Sequence, residues 1–100
     1  MAEPIHSVHG VPIRLTEERW RHVSEEHTEL AGLRDEVLAA IASPDRVVGG
    51  QAGERIAIRE IERGKHLVVV YREQDDDGFV ITAFLTRRTR WLQGREQLWP

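Results

Sequence analysis

The sequence predicts an α+β domain in which two N-terminal helices pack on one face of a three- to four-stranded antiparallel sheet. Two observations lead there. Apolar residues recur at helical spacing as far as residue 42, and then give way to β-branched runs separated by short turn signals. The chain is 100 residues long, 40% hydrophobic and 31% charged. That is enough for one domain with one modest core, and too apolar for a disordered chain.

The elements follow in order. Residues 1–12, with Pro4, Gly10 and Pro12, read as an irregular lead-in, and Ile13-Arg14-Leu15 as a short strand. Thr16 is placed to cap a helix whose first turn holds Glu17 and Glu18, where carboxylates favour the dipole. This helix is expected from about Glu17 to Leu30. At ~100° per residue, His27 falls inside the apolar arc of Trp20, Val23 and Leu30, whereas His22 falls well outside it. Ala31-Gly32 ends the helix. A second, from Leu33 to Ala42, carries Leu33, Val37, Ala40 and Ile41 as one stripe and stops at Ser43-Pro44-Asp45.

Strands are expected at Arg46–Gly49, Glu54–Glu62, Lys65–Glu73 and Phe79–Thr86, with turns at Arg63-Gly64 and Asp75–Gly78. Leu67-Val68-Val69-Val70-Tyr71 reads as a central strand covered on both faces. In residues 87–100, Trp91, Leu92, Leu98 and Trp99 supply anchors, Gly94 interrupts and Pro100 ends the run. No repeat, low-complexity tract or linker interrupts the chain. Residues 1–100 therefore read as one domain, with the lead-in at 1–12 and the folded part at 13–99.

Composition excludes several classes of function. The absence of cysteine removes disulfide scaffolds, thiol catalysis and thiolate zinc sites. No apolar run approaches the roughly 20 residues of a spanning helix, so no membrane partner is expected. Met1–Gly10 lacks the basic-then-apolar pattern of a secretory signal, so a cytoplasmic location is expected. The net charge of −3 does not suit a bulk nucleic-acid binder. Its distribution is uneven. Residues 1–50 carry a formal −4 and residues 51–100 a formal +1, with Arg87, Arg88 and Arg90 clustered and Arg95 following. That cluster reads either as a solvated charge run or as a phosphate-contacting stripe with Trp91 available to stack.

Candidate chemistry comes from pairing the last two long strands. Glu73 opposite Gly78 sets Lys65 against Thr86 and Val69 against Thr82. A one-residue slip sets His66 against Thr86 and Arg72 against Val80, and exchanges the two faces. In both registers a basic residue meets a threonine. Lys65 is the only lysine among fourteen Lys and Arg residues. It is either a turn-flanking cation or a group that stabilises a phosphoryl oxyanion or donates a proton. His27 is either a satisfied core histidine or an acid–base group lining a cleft. His66 is a second candidate. No glycine-rich phosphate loop, G-x-S-x-G or H-E-x-x-H is present.

Taken together, Leu15-Thr16-Glu17-Glu18-Arg19-Trp20-Arg21-His22-Val23, His27, Ser43-Pro44-Asp45, Gly64-Lys65-His66-Leu67-Val68-Val69-Val70, Asp77-Gly78-Phe79-Val80-Ile81-Thr82-Ala83-Phe84-Leu85-Thr86 and Gly94 before Trp99 form a recognisable order. It resembles the small phage- and bacteria-encoded nucleases of the barnase–EndoU–colicin–RelE-like (BECR) superfamily over about residues 13–99. The resemblance implies helices before a curved antiparallel sheet and a metal-independent, cofactor-free ribonuclease of toxin type. Such an enzyme cleaves by attack of the 2′-hydroxyl on the adjacent phosphate. His27 would be the helix-borne acid or base and Lys65 the cation or proton donor. Thr82 and Thr86 would hydrogen-bond phosphate or ribose, and Arg72, Arg87, Arg88 and Arg90 would hold the RNA backbone. The implied partners are RNA, with ribosome-bound mRNA or tRNA among the targets, and a cognate antitoxin or immunity protein. A non-catalytic interaction domain on the same scaffold is the competing reading, and a metal enzyme using His22, Glu26 and His66 a third. The tryptophans near both ends fit base stacking, a homodimer contact or core packing equally.

Overall fold

The computed structural model describes residues 5–100, so the first four residues of the expected lead-in lie outside the described residues. The elements are β1 (Ile5–His6), β2 (Pro12–Arg14), α1 (Glu17–Glu26), a 3-10 turn (Thr28–Leu30), α2 (Arg34–Ala42), β3 (Arg46–Gly49), β4 (Arg55–Glu62), β5 (Lys65–Gln74), β6 (Asp77–Thr86), a second 3-10 turn (Arg90–Leu92) and β7 (Gln97–Trp99). No helix among the described residues is long and apolar enough to cross a membrane.

The expected fold class needs correction. The sheet is neither three- nor four-stranded, and it is not purely antiparallel. It has seven strands in the order β1-β2-β6-β5-β4-β3-β7, curved into a half-barrel. β2 joins β6 in parallel, through Ile13 opposite Gly78 and Arg14 opposite Phe79. The lead-in read as irregular supplies the β1–β2 hairpin at one margin. The C-terminal run supplies β7, which pairs with β3 at the other. These three strands are two or three residues long, too short to display a period-two alternation in sequence.

The helices cover one face. Thr16 caps α1 by accepting the Arg19 N–H at 3.1 Å. The helix stops at Glu26, because His27 leaves helical geometry with φ −126° and ψ 78°. The chain then makes a 3-10 turn that buries Leu30. Val23, Leu30, Val37, Ala40 and Ile41 pack on Val47, Ala57, Leu67, Val69, Tyr71, Val80 and Ala83. Arg59 of β4 reaches up from this face and donates to the Ala39 and Ser43 carbonyls at 3.3 and 3.1 Å. It satisfies the C-terminal end of α2, whose own last turn holds no basic residue.

The opposite face is helix-free. Val48, Ile56, Ile58 and Val68 lie there, covered by Leu92 of the second 3-10 turn, with Val70 and Phe84 packed alongside. The C-terminal segment thus crosses this face like a strap, from the end of β6 to the outer edge of β3.

The β1–β2 hairpin is held by a polar knot on the helix side. The Glu73 side chain, 8% exposed, pairs with Arg55 Nε at 3.1 Å and His9 Nδ1 at 3.3 Å, and the Ser7 hydroxyl donates to it. The same hydroxyl accepts the His9 and Val11 N–H groups, both at 3.3 Å. Burial pushes the Glu73 carboxyl up, but Ser7, Arg55 and His9 outweigh it and hold the group below the ordinary carboxylate range. A folded pKa below the unfolded one means a stabilisation that is complete above the unfolded value of about 4.3 and drains away as pH falls through the folded value. Glu73→Gln is therefore expected to cost about 1–3 kcal/mol in urea titrations at neutral pH and to flatten the acid limb of the stability profile. An acid limb identical to wild type would contradict this account.

Tyr71 beside the knot is fully buried, and its hydroxyl has no hydrogen-bond partner among the described residues. Burial, reinforced by Glu73 and opposed by Arg55, pushes its pKa up to about 12. Tyr71→Phe deletes an unsatisfied polar atom and keeps the ring, so the Tm is expected to hold or rise, by up to about 1 kcal/mol of stability. A clear fall would reveal a partner for the hydroxyl.

Candidate active site

The site lies where β5 begins and β6 ends, and a bulge in their pairing builds it. From the turn the two strands run in one register: Gln74 opposite Asp77, Glu73 opposite Gly78, and Tyr71 opposite Val80. The register then shifts so that Val70 faces Thr82, with Ile81 left over. Beyond it Val68 faces Phe84 and His66 faces Thr86. Each of the two registers weighed from sequence thus describes one half of the ladder. Because side chains alternate, the extra residue lets β6 present Ala83 and Leu85 to the helices while Thr82, Phe84 and Thr86 line the open face with Val68 and His66.

His27 arrives from the other side of β6. As the residue that ends α1, it sets its half-buried imidazole 5.9 Å from the Phe84 ring, tilted by 38°. Its Nδ1 lies 3.8 Å from the Glu29 carboxylate, an electrostatic contact rather than a hydrogen bond. Glu29 also lines an open pocket of about 250 Å³ with Lys65, Leu85, Thr86 and Arg87. His66 Nε2 stands 3.7 Å from Glu60, and its Nδ1 is buried with no partner among the described residues. Phe84 continues to Trp91 at 6.0 Å, and Arg95 lies over the indole at 5.7 Å. His27, Phe84, Trp91 and Arg95 therefore form a continuous track across the open face.

His27, Lys65, Thr86 and Arg87 gather round Glu29, and His66 pairs with Thr86. Thr86 is committed to its own turn: its hydroxyl donates to the Arg88 carbonyl at 3.1 Å and accepts the Arg88 N–H at 3.0 Å. It shapes the arginine turn, where Arg88 and Arg90 are exposed and Arg87 reaches the Arg63 carbonyl at 3.5 Å. Two of the expected residues stand apart. Thr82 shares the face but sits four residues up the strand from Thr86, roughly 13 Å away at the usual rise. Arg72 is at the far end, donating to the Ala52 carbonyl at 3.0 Å. His22 and Glu26 line a groove on the outside of α1. They do not converge with His66, and no group of three His, Asp or Glu among the described residues is arranged to hold a metal ion.

Sequence reasoning missed Glu29 and Glu60. Glu29 stands two residues after His27, and only the change from α-helix to 3-10 turn brings the two together. Glu60 meets His66 through the Arg63-Gly64 turn, with Gly64 at φ +77° and its N–H donated to the Glu60 carboxylate at 3.0 Å. The spacing of a two-residue turn would set Ile61 against His66; a bulge at Ile61 brings Glu60 there instead, and it leaves no mark in the sequence.

The arrangement places His27, Lys65 and Arg87 beside Glu29 on the helix-side edge of β6, and His66 beside Glu60 on the opposite face. Imidazoles can exchange protons, and the ammonium and guanidinium groups can attract an anion. No protein-family model, curated protein or solved structure matches the chain.

Proposed function

We propose that the chain is a metal-independent RNA endonuclease of the BECR type, acting as a toxin-like enzyme. The observation that carries this reading is the gathering of His27, Lys65 and Arg87 round Glu29 where β5 begins and β6 ends, on the helix-side edge that Leu85 marks, with His27 reaching past it to Phe84 of the opposite face. In the proposed reaction the ribose 2′-oxygen attacks the adjacent phosphorus while a base takes its proton. The P–O5′ bond breaks as an acid returns a proton to the departing 5′-oxygen. His27 serves at one of these proton transfers. Lys65 offsets the negative charge that builds on the phosphorane, or supplies the second proton. Arg87, Arg88 and Arg90 hold the flanking phosphates. An antitoxin or immunity protein would act by covering this face.

The test is cleavage of RNA, free and ribosome-bound, in excess chelator. The expected products carry 2′,3′-cyclic phosphate and 5′-hydroxyl ends. Absence of cleavage on both substrates would replace this reading with that of a non-catalytic interaction domain.

A further inference from the structure

A second pocket lies where the strap passes the loop between β3 and β4. It has a volume of about 440 Å³ and is lined by Gly50 and Gln51 on one side and by Trp91, Gln93, Arg95 and Glu96 on the other. We propose that it is a subsite for one unpaired nucleobase of the RNA strand, an assignment that rests on the ribonuclease reading above.

The chemistry of the lining selects the ligand. Trp91 is the exposed large hydrophobic residue of the described chain, at 41% exposure, and gives the pocket an aromatic wall. Gln51 and Gln93 each bring an amide that can both donate and accept, as the edge of a base requires. Arg95 lies over the indole, with its Nε–H buried and unpartnered among the described residues. A phosphate is the wrong occupant. The single guanidinium is opposed by Glu96 in the lining and by Glu54, whose carboxyl is lowered chiefly by backbone N–H groups, with Arg72 and Arg95 assisting. A flat, neutral heterocycle with a polar rim matches an aromatic wall, two amides and a near-balanced charge.

The pocket is also held in shape. Gly50 N–H donates to the Glu54 carbonyl and Ala52 N–H to its carboxylate, both at 2.8 Å, and the Glu54 side chain fills the space a Cβ on Gly50 would need. Arg72 ties the same loop through the Ala52 carbonyl at 3.0 Å, and Gly49 N–H joins it to the strap through the Glu96 carbonyl at 2.8 Å. Trp91 is fixed in turn by its indole N–H on the Arg88 carbonyl at 2.8 Å. A site whose walls are tied before the ligand arrives loses little entropy on binding. The rings of His27, Phe84 and Trp91 follow one another at 5.9 and 6.0 Å and connect His27 with the aromatic wall of this pocket. A strand that followed these rings would bring one of its bases to the pocket.

The experiment uses short 2′-O-methyl oligoribonucleotides, which cannot be cleaved by 2′-attack, with an abasic residue walked along the strand. Binding is read by anisotropy, and the indole N–H signal of Trp91 by NMR. One abasic position is expected to weaken wild-type binding about ten-fold and to leave the Trp91 signal unmoved. The same abasic position should cost nothing further in Trp91→Ala. Gln93→Ala, an exposed substitution that does not touch the core, should weaken the intact strand and shrink the abasic effect. Binding insensitive to every abasic position and to both variants would overturn the subsite, and cleavage by wild type would then leave the ribonuclease reading standing. Abasic-sensitive binding without cleavage of unmodified RNA would keep the subsite and remove the ribonuclease reading. No binding of any oligonucleotide would overturn the subsite outright.

Discussion

Lys65→Ala is expected to slow RNA cleavage by roughly 10²–10⁴-fold, the range a positioned proton donor or charge stabiliser supplies, with no change in fold. Lys65 is a half-buried strand-end residue lining the open pocket, outside both apolar clusters. Its loss removes charge where phosphorane charge would build and little packing. His27→Ala is expected to match it in magnitude, but the imidazole also packs on Phe84. His27→Gln therefore belongs beside it, since it keeps most of the volume without an acid–base group. The two losses should not add in Lys65→Ala/His27→Ala, because groups serving one transition state fail together. Cleavage unchanged in either folded variant would remove that residue from the site.

Gly78→Ala is expected to destabilise the fold by about 3 kcal/mol or more, a large share of the 5–15 kcal/mol that holds a domain of this size together. Gly78 lies between two strands, paired with Glu73 of β5 and with Ile13 of β2. A Cβ there would stand 2.5 Å from Ile13 Cδ1 and inside contact distance of the Arg72 carbonyl oxygen. The backbone carbonyl cannot swing aside, and Ile13 is 1% exposed in the core. The strain should therefore fall on the parallel β2–β6 contact, and with it on Arg14–Asp77 at 2.9 Å. Urea midpoints measure the cost. Hydrogen exchange should show the β1–β2 hairpin opening first. A variant as stable as wild type would mean that β2 does not dock as described.

What the sequence disclosed, and what it hid, follow from range. Thr16 as a cap and the doubly covered Leu67–Val69 run are local patterns, and both are in the structure; His27, expected on the apolar arc of a helix reaching Leu30, instead follows a helix that ends at Glu26 and is only half-buried. The seven-stranded mixed sheet was out of reach, because β1, β2 and β7 are too short for a pattern and the parallel contact joins residues 65 positions apart, as Ile13 with Gly78. The site was half legible for the same reason. Two registers competed because a bulge at Ile81 makes each correct over part of the hairpin, and a bulge leaves no mark in composition. Thr82 shares a face with Thr86 but stands too far along the strand to share its pocket, and Arg72 is spent on a loop whose path depends on Glu54.

The ordering of the strands has a consequence for colloidal behaviour. The eight- and ten-residue strands β4, β5 and β6 lie inside the sheet, and its margins are the two-residue β1 and the three-residue β7. The part of β6 that extends past β2 lies against α1 and the first 3-10 turn. A long exposed strand is a template on which a second chain can zip, and Leu67–Val70 with Phe79–Leu85 would be a potent one. Here Leu67–Val70 is enclosed between β4 and β6, while β6 beyond Phe79 has no strand on its outer side among the described residues, so α1 and the first 3-10 turn are what stand between its free N–H and C=O groups and a neighbouring molecule.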